Sequence, residues 1–512
     1  MENKINDKAE HDEKVDVQPT TVYDVLPNWG RPWYKVPHLL KLNLILIIPF
    51  ISPIYNGFDN SLLNSLQSLT EWKDFFGHPT GARLGAAANG ILYGNILAIP
   101  VTSYACDILG RVRTTLLGAC IMLVGIILQS AAQDFAMYIV GRFVLGFGIF
   151  LAITAAPLLI AEVSYPSHRP YMTGISQCLY GLGGIIASWS TYGTSLWSDH
   201  SNWMWRLPIL LQIMFPVIQI SFMFWLPESP RYLVSRGKID KAREVILKHH
   251  AGGDETVGGA LVEFEIAEIT IAIQADNDRK GVAWFEFIKT RANRHRTLII
   301  CFIPVMTQFS GNAVLSYFLN LVLDAQGITS PTRQLILNGG ISIFQFGIGL
   351  ISISLIDYFG RRRMFLGSSS GMLLVFIIWT VLSAENQFDD FKNKGIATAV
   401  LVMIFLFWFA YCMAMLAVTT VYMTEIVPFY LRAKGWVLGQ FVLCGILLFN
   451  GFVTPIAMDN ISWKYYIVYC ISIAIQIVVE YFYFPETRGL SLEEVGAVFG
   501  DNLLPYEVNA PM

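Results

Sequence analysis

The stretch DILGRVR at residues 107–113 returns as DYFGRRR at residues 357–363, and this repetition decides how the chain is organised. Two further pairs of motifs repeat in the same order: AEVSYPSHR (161–169) as TEIVPFYLR (424–432), and PES (227–229) as PET (485–487). Three matched pairs in register are hard to obtain by chance, so we expect two halves with the same architecture.

Around these motifs lie twelve apolar runs, each close to the roughly 20 residues that an α-helix needs to cross a bilayer. Their approximate limits are 42–66, 85–106, 114–132, 136–161, 171–193, 206–226, 297–323, 334–356, 364–383, 396–424, 435–457 and 464–484. The 512 residues are 54% hydrophobic and only 14% charged, which leaves too few polar side chains to cover several water-soluble cores. The sequence therefore predicts an all-α membrane protein with twelve transmembrane helices in two six-helix pseudo-repeats, 42–226 and 297–484.

Lys and Arg residues predict the orientation of these spans. Eight lie in short loops on one side of the predicted bundle and twelve more in the connection 227–296, against seven on the other side. Because positive charge concentrates on the cytosolic side, we expect the tails 1–41 and 485–512 and the linker 227–296 to be cytosolic. Residues 1–20 are polar and charged, which is typical of a disordered tail, whereas KIDKAREVILKHH (238–250) predicts short amphipathic helices in the linker.

Several classes of protein are disfavoured. The formal net charge of −3 argues against a nucleic-acid-binding protein. The sequence contains no GxxxxGK[S/T] string of an ATP-driven pump, and no GxSxG nucleophile motif stands out against the apolar membrane background, so an enzyme is not expected. The seven cysteines are scattered singly through apolar runs, and no cofactor, metal site or disulfide framework is predicted.

The repeated motifs predict a gate on the cytosolic side. In DILGRVR, Gly110 permits a tight turn between two helices, Asp107 can accept hydrogen bonds from the N–H groups that begin the next helix, and Arg111 projects sideways. We expect Arg111 with Glu162, and Arg361 with Glu425, to form ionic clasps that close this side in one state and part in the other. The predicted gate comprises Asp107, Arg111, Glu162, Arg169, Asp357, Arg361, Glu425 and Arg432. Ordinary positive loops with incidental acids are the alternative.

Ionisable residues inside the predicted spans are few. Asp59 lies well inside the first span and Arg142 near the start of the fourth. Burial disfavours the charge on the acid and a nearby Arg favours it, so such a pair could change protonation when the two residues separate. A purely structural ion pair is the alternative. For Glu480, in the last span, we favour a snorkelling or clasp role over coupling.

Neutral amides form a second polar group in the spans. Gln308 and Asn312 are four residues apart and Ser316 follows one turn later, so all three lie on one helix face. Amide side chains donate and accept hydrogen bonds, as the hydroxyls of a sugar require. Such a stripe is expected to face a cavity or a partner helix.

Together these motifs resemble those of a known family. DILGRVR, PESPRYL (227–233), DYFGRRR and PETRGLSLEEV (485–495) are similar to the signatures of the sugar porters of the major facilitator superfamily, over residues 40–500. More narrowly, STYGT (190–194), PILLQIMFP (208–216) and QFSGNAVLSYF (308–318) resemble the fungal lactose permease and cellodextrin transporter branch.

The resemblance implies roles for several residues. Proton-coupled members of the family carry an Asp where Asp59 stands and an Arg where Arg142 stands, which implies a proton carrier and its modulator. The family's sugar-binding positions correspond to Gln177, Gln308 and Gln345, with Tyr317 at the place of an aromatic gate. Helix-to-helix hydrogen bonding for the amides, and simple packing for Tyr317, are the alternatives.

Departures from the family pattern bear on the size of the substrate. Thr307 replaces a second glutamine, Thr420 replaces an expected tryptophan, and Leu443 replaces an amide that Gln440 or Asn450 could supply instead. Smaller side chains enlarge the pocket, which favours a disaccharide over a hexose.

The resulting hypothesis is a plasma-membrane symporter, functional as a monomer, that imports a lactose- or cellobiose-like disaccharide or a hexose with protons. Its partners would be the sugar, the proton and the lipid bilayer. A facilitative uniporter and a non-transporting sugar sensor are the alternatives. Sensors of this family tend to carry a long cytosolic tail, and the 28 residues after the last predicted span favour transport.

Overall fold

The computed structural model describes residues 25–27, 29–198, 200–278, 284–389, 393–416, 418–488, 495–496 and 498–500. The predicted tail segment 1–20 and the last twelve residues of the chain lie outside this part. Every regular element in the described ranges is a helix, and two of these, Trp33–Lys35 and Ser462–Lys464, are short 3₁₀ turns.

The α-helices are α1 (Pro37–Ile45), α2 (Ile47–Leu66), α3 (Thr70–Phe75), α4 (Gly81–Leu109), α5 (Arg111–Ser130), α6 (Phe135–Val163), α7 (Arg169–Ser195), α8 (Trp203–Leu211), α9 (Met214–Met223), α10 (Pro230–Ser235), α11 (Ile239–His250), α12 (Glu255–Asp278), α13 (Glu286–Lys289), α14 (Arg291–Gln308), α15 (Asn312–Tyr317), α16 (Leu319–Asp324), α17 (Pro331–Phe359), α18 (Arg361–Phe388), α19 (Lys394–Ala414), α20 (Val418–Ile426), α21 (Phe429–Ile461) and α22 (Tyr465–Tyr483). Helices α1–α9 form the first half, α10–α13 the linker, and α14–α22 the second half.

In the described residues, nine helical stretches are long and apolar enough to cross a membrane. One of them, Lys434–Tyr483, contains both α21 and α22. The two predicted runs without such a stretch are α7, which is rich in Gly, Ser and Thr, and the run 297–323, which is broken into α14, α15 and α16. The helices thus follow the twelve apolar runs, although several runs are divided into two or more helices.

Glycines bring the helices of the first half into close contact. A Cβ on Gly57 of α2 would overlap the Tyr180 carbonyl of α7, and one on Gly183 of α7 would overlap the Ile54 carbonyl of α2. A Cβ on Gly146 of α6 would likewise overlap the Ile91 carbonyl of α4. Without side chains at these positions the backbones pack directly on each other, as is common between membrane helices.

The two repeated turns are built alike, but their cap differs from the prediction. Gly110 and Gly360 have φ values of +92° and +86°. The carboxylate that accepts hydrogen bonds from the first N–H groups of α5 belongs to Glu228, at 2.9 Å from Arg111 N and 3.3 Å from Val112 N. Glu486 does the same for α18. The expectation that Asp107 would cap α5 is therefore wrong, because its side chain is exposed and the Glu of the PES motif occupies the position.

We call the side of the bundle that carries these turns and helices α10–α13 the linker face. There His250 of α11 lies with Nδ1 2.8 Å from Glu265 Oε2 of α12 and with Nε2 3.1 Å from the Val163 carbonyl, at the end of α6. Leu261 of α12 is buried in one apolar cluster with Val163 and Leu42. Helices α11 and α12 are thus docked on the first half, whereas Phe287 of α13 belongs to the apolar cluster of the second half.

The two halves touch near the opposite face. Gln67 Nε2 donates to the Tyr317 carbonyl at 2.9 Å, Asn338 Nδ2 to Ser65 Oγ at 2.8 Å, and Gly81 N to Asp459 Oδ2 at 3.1 Å. Toward the linker face, Tyr171 of α7 and Tyr358 of α17 are 74% and 70% exposed. The halves therefore meet at one end and diverge at the other.

Candidate functional site

A polar cavity lies between the halves. The space in it that a water-sized sphere can occupy is about 210 Å³. Its polar lining comes from five helices or helix pairs: Asn60, Ser61 and Asn64 of α2; Tyr180 of α7; Gln308, Asn312, Ser316 and Tyr317 of α14–α15; Asn338, Ser342 and Gln345 of α17; and Trp408 and Tyr411 of α19. Both halves therefore contribute to one pocket.

The predicted amide stripe lies in this cavity and is hydrogen-bonded along its length. Asn312 Nδ2 donates to Gln308 Oε1 at 3.3 Å, and Ser316 Oγ donates to Asn312 Oδ1 at 2.9 Å. The stripe crosses the break between α14 and α15, where Gly311 has φ +94° and its missing Cβ leaves room for the Phe376 ring. Gln308 keeps donor groups that no other described residue uses, so it can bind a hydroxyl.

Of the other predicted binding residues, two line the cavity and one has a side chain outside the described residues. Gln345 and Tyr317 line the same cavity. The side chain of Gln177 lies outside the described residues, although its neighbour Cys178 lines the cavity. Asn450 is buried and its Nδ2 lies 3.5 Å from the Gln308 carbonyl, so it supports the stripe from α21.

Sequence reasoning missed the asparagines of the first half. Asn60 and Asn64 are four residues apart on α2, a signal like the one that identified the stripe on α14–α15. Asn338 of α17 has Ser342 four residues further on, so the same signal was available there, but its contacts with Asn64 and Ser65 depend on how the halves meet.

The predicted ion pair is present in the first half. Arg142 Nη2 lies 3.7 Å from Asp59 Oδ2, and both side chains are 1% exposed. Neither carboxylate oxygen of Asp59 has a hydrogen-bond partner in the described part of the chain, and the same holds for Arg142 Nη1 and Nε. A buried pair this long and this poorly bonded recovers little of its desolvation cost.

More buried polar groups surround this pair. Tyr55 of α2, Tyr138 of α6 and Gln212 between α8 and α9 are its neighbours, and their side-chain polar atoms are likewise buried without hydrogen-bond partners among the described residues. Asp59 precedes the cavity-lining Asn60 and Ser61 on α2, so one helix connects the ion pair to the cavity.

The predicted Arg–Glu pairs form at the linker face in both halves. Arg111 Nε lies 3.0 Å from Glu162 Oε2, and Arg361 Nη2 lies 2.7 Å from Glu425 Oε1. Ser229 also contacts Glu162, and Thr487 Oγ1 donates to Glu425 at 2.6 Å. The side chains of Asp357 and Arg432 lie outside the described residues, while Arg169 Nε is buried and bonded to no described residue.

Each pair joins helices within one half, so neither pair bridges the two halves. That the pairs part in another state stays a prediction. The two Arg–Glu pairs hold α5 to α6, and α18 to α20, together with the glutamate caps.

Burial raises the pKa of the cap residue Glu228, although the N–H groups of Ser229, Val112 and Arg111 stabilise its charge.

Glu480 also differs from expectation. It neither snorkels to the surface nor joins a clasp, because its side chain is fully buried and bonded to Ser369 and Gln476.

A bundle of membrane-spanning helices in two repeated halves, with a polar cavity between them, defines a multi-span membrane transporter. A family model described as "Sugar (and other) transporter" matches residues 44–499. The chain therefore belongs to the sugar transporter family and is not an enzyme.

Known proteins resemble the chain over most of its length. A high-affinity glucose transporter of Kluyveromyces lactis is 26% identical over 93% of this chain and 88% of its own. The MFS-type transporter oryC of Aspergillus oryzae is 29% identical over 81% of this chain and 76% of its own. The low-affinity glucose transporter HXT4 of Saccharomyces cerevisiae is 25% identical over 88% of this chain and 79% of its own.

Among solved structures, the inward-open xylose transporter XylE from E. coli matches with a TM-score of 0.72 at 18% identity, over 89% of this chain and 99% of XylE. XylE bound to 6-bromo-6-deoxy-D-glucose matches with a TM-score of 0.71. The predicted fold, an all-helical multi-span membrane protein of the major facilitator type, is thereby confirmed.

Proposed function

We propose that this protein is a proton-coupled sugar symporter that works by alternating access. The observation that carries the proposal is the arrangement on α2, where the buried Asp59, paired with Arg142, directly precedes the cavity-lining Asn60 and Ser61. Movement of α2 between two states would change the environment of the acid and of the cavity together.

The polar lining supports a sugar as substrate. Gln308, Asn312, Asn60 and Gln345 offer amides that both donate and accept, and Trp408 and Tyr411 offer ring faces for the apolar side of a pyranose. Glucose transporters among the relatives, and the proton:xylose symporter XylE among the structures, agree with this substrate class.

A disaccharide of the lactose or cellobiose type, or a hexose, would fit this cavity. Thr307 and Thr420 stand where the family resemblance implies a glutamine and a tryptophan, but neither threonine lines the cavity, so the cavity lining does not support the disaccharide. The motifs that resemble the fungal lactose permease and cellodextrin branch support the disaccharide.

The geometry of the ion pair supports proton coupling over a purely structural role. A structural pair is expected to be short and fully hydrogen-bonded, whereas Asp59 and Arg142 are 3.7 Å apart with unpaired polar atoms. Asp59 would take up a proton from one side, and separation from Arg142 would govern its release. An inward membrane potential would supply about 2.3 kcal/mol per charge for each 100 mV.

The proposed orientation places the linker face and both termini in the cytosol and the chain in the plasma membrane, functional as a monomer. The structure then corresponds to an inward-facing state, in which the cavity releases sugar toward the linker face.

Uptake measurements test the coupling. In transporter-null yeast expressing the full chain, radiolabelled lactose, cellobiose or glucose is expected to accumulate above equilibrium and to lose that accumulation with an uncoupler. Asp59→Asn is expected to abolish accumulation while leaving equilibrative exchange. Asp389→Asn, the same change at an exposed position outside the predicted sites, serves as control and is expected to behave like the wild type.

Either of two results would contradict the proposal and identify another function. Uncoupler-resistant wild-type uptake that never exceeds equilibrium would identify a facilitative uniporter. Binding of sugar without any uptake, at normal surface expression, would identify a sugar sensor.

A second experiment tests the pocket. Gln308→Ala removes at least one hydrogen bond to a sugar hydroxyl and is expected to raise KM about tenfold, which corresponds to about 1.4 kcal/mol. Gln133→Ala, at an exposed position between α5 and α6, is the matched control. An unchanged KM in Gln308→Ala would remove this residue from the site.

A further inference from the structure

Glu480 is a buried acid of the second half that the transport cycle does not use. It lies on α22, and its side chain is 0% exposed. Oε1 accepts hydrogen bonds from Ser369 Oγ of α18 at 2.7 Å and from Gln476 Nε2 at 2.9 Å. Oε2 is buried as well and has no hydrogen-bond partner in the described part of the chain.

No described cation neutralises this carboxyl group. The charged groups at the nearby linker-face end of α14, α18 and α22 have other partners. Arg361 pairs with Glu425, Arg362 donates to the Tyr481 carbonyl at 2.6 Å, His295 contacts the Tyr483 carbonyl at 2.7 Å, and Glu486 accepts from the start of α18. An ionised Glu480 would be an unpaired charge in an apolar interior, which costs several kcal/mol.

The neighbouring hydrogen bonds oppose this effect of burial. Ser369 Oγ and Gln476 Nε2 both donate to Oε1 and so stabilise a negative charge there. Oε2 receives no hydrogen bond from any described residue, and a proton on it removes the buried charge. Burial without a described cation is therefore what favours the neutral acid.

The first half shows that the fold does not require an acid here. The buried positions of α18 and α5 correspond with an offset of 250 residues, and Ser369 then corresponds to the buried Ala119. Aligned by the PES and PET motifs, Glu480 corresponds to Phe222. Aligned by burial, it corresponds to Met223, and Gln476 then corresponds to the buried Gln219. Either counterpart of Glu480 is apolar, so the acid and the serine are specific to the second half.

We propose that Glu480 is a second proton-binding site. Its carboxyl group is neutral at neutral pH, with the proton on Oε2, and in this form it joins α22 to α18 through Ser369. Alkaline pH removes the proton, leaves a buried charge and loosens the contact between the two helices. The site is in the half opposite to Asp59, and its occupancy is independent of which sugar is carried.

Infrared difference spectroscopy on the purified full chain in lipid vesicles tests the protonation directly. At neutral pH, subtraction of the Glu480→Gln spectrum from the wild-type spectrum is expected to show one C=O stretching band of a protonated carboxylic acid. Glu244→Gln, the same change at an exposed linker position, is expected to show none. Absence of the band from the Glu480 difference would show that the carboxyl group is ionised and would overturn the proposal.

A second variant and a second measurement guard against a folding defect. Glu480→Met introduces the residue that the first half uses, and it replaces Glu480→Gln in the subtraction if the latter does not fold. The melting temperature of the wild type is expected to fall more steeply than that of the folded variant as pH rises above neutrality. Parallel falls would overturn the role of the neutral acid in holding α18 to α22.

Discussion

At the residue scale, the buried and half-buried carboxyl groups of this transporter differ in what compensates them. Guanidinium groups pair with Asp59, Glu162 and Glu425. The free N–H groups that begin a helix donate hydrogen bonds to Glu228 and Glu486. The remaining carboxyl group, that of Glu480, is proposed to hold a proton. The compensating group indicates the role, because a fixed N–H cannot leave its carboxylate whereas a proton can.

The glutamate cap of α5 is expected to be a large local contribution to stability. Glu228 accepts hydrogen bonds from the N–H groups of Arg111, Val112 and Ser229. Glu228→Ala leaves these groups without the carboxylate and is expected to cost about 1–3 kcal/mol, seen as a lower melting temperature of the detergent-solubilised protein. Glu244→Ala, at an exposed linker position, is the control. Equal melting temperatures for the two variants would contradict this assignment.

The difference between Asp107 and Glu228 shows where residue-level prediction stops. The sequence identified the repeated turn and its glycine, because both follow from local geometry. It assigned the cap to the acid inside the motif, because the true cap lies 117 residues away in the chain and is brought there only by folding. The burial of Glu480 was missed for the same reason, since its partner Ser369 belongs to another helix.

At the element scale, α2 is the helix on which both proposed parts of transport, proton coupling and sugar binding, depend. It carries Asp59 and three cavity-lining residues, and it packs on α7 through backbone-to-backbone contacts at Gly57 and Gly183. Such tight contacts let the two helices move as one unit, since neither has side chains between them at these points.

Gly183→Ala is therefore expected to disturb the whole first half. A methyl group there would overlap the Ile54 carbonyl, so α2 and α7 must separate, and we expect a loss of at least 1–3 kcal/mol and reduced surface expression. Gly174→Ala on the same helix is the control, since nothing lies within 4 Å of the added methyl group. The control is expected to gain about 0.5–1 kcal/mol from helix propensity. Normal expression and uptake in Gly183→Ala would refute the close packing.

The existence of the spans was predictable because each needs a long apolar run, whatever its neighbours. The points at which these spans are divided into shorter helices were not predictable from the sequence. The run 297–323 reads as one span, but the chain divides it at Gly311, where a left-handed backbone and the Phe376 ring of α18 are needed to explain the interruption. The asparagine contacts between the halves depend in the same way on partners 273 and 274 residues away.

At the scale of the whole molecule, the linker ties the first half together from outside the membrane. His249 and His250 end α11, and both are at most 8% exposed between α1, α12 and the end of α6. Trp29 and the ring of His38 contact each other at 4.6 Å beside this cluster, so the segment before α1 is also held there. The docking buries His249, and burial disfavours the charged form of its imidazole.

This docking is expected to weaken in acid. Burial, followed by the nearby His250, Lys248, Lys41 and His38, lowers the pKa of His249 from 6.5 to about 4. Between these two values the undocked linker binds a proton that the docked linker does not, so docking is intact above pH 6.5 and is lost progressively as pH falls toward 4. Hydrogen–deuterium exchange of α11 and α12 is expected to quicken over this interval, while α4 and α6 stay protected.

His249→Gln, which cannot titrate, is expected to reduce the acid effect. His200→Gln, at an exposed position on the opposite face, is expected to leave the acid effect unchanged. The same acid response in His249→Gln as in the wild type would exclude His249 as the group that senses pH.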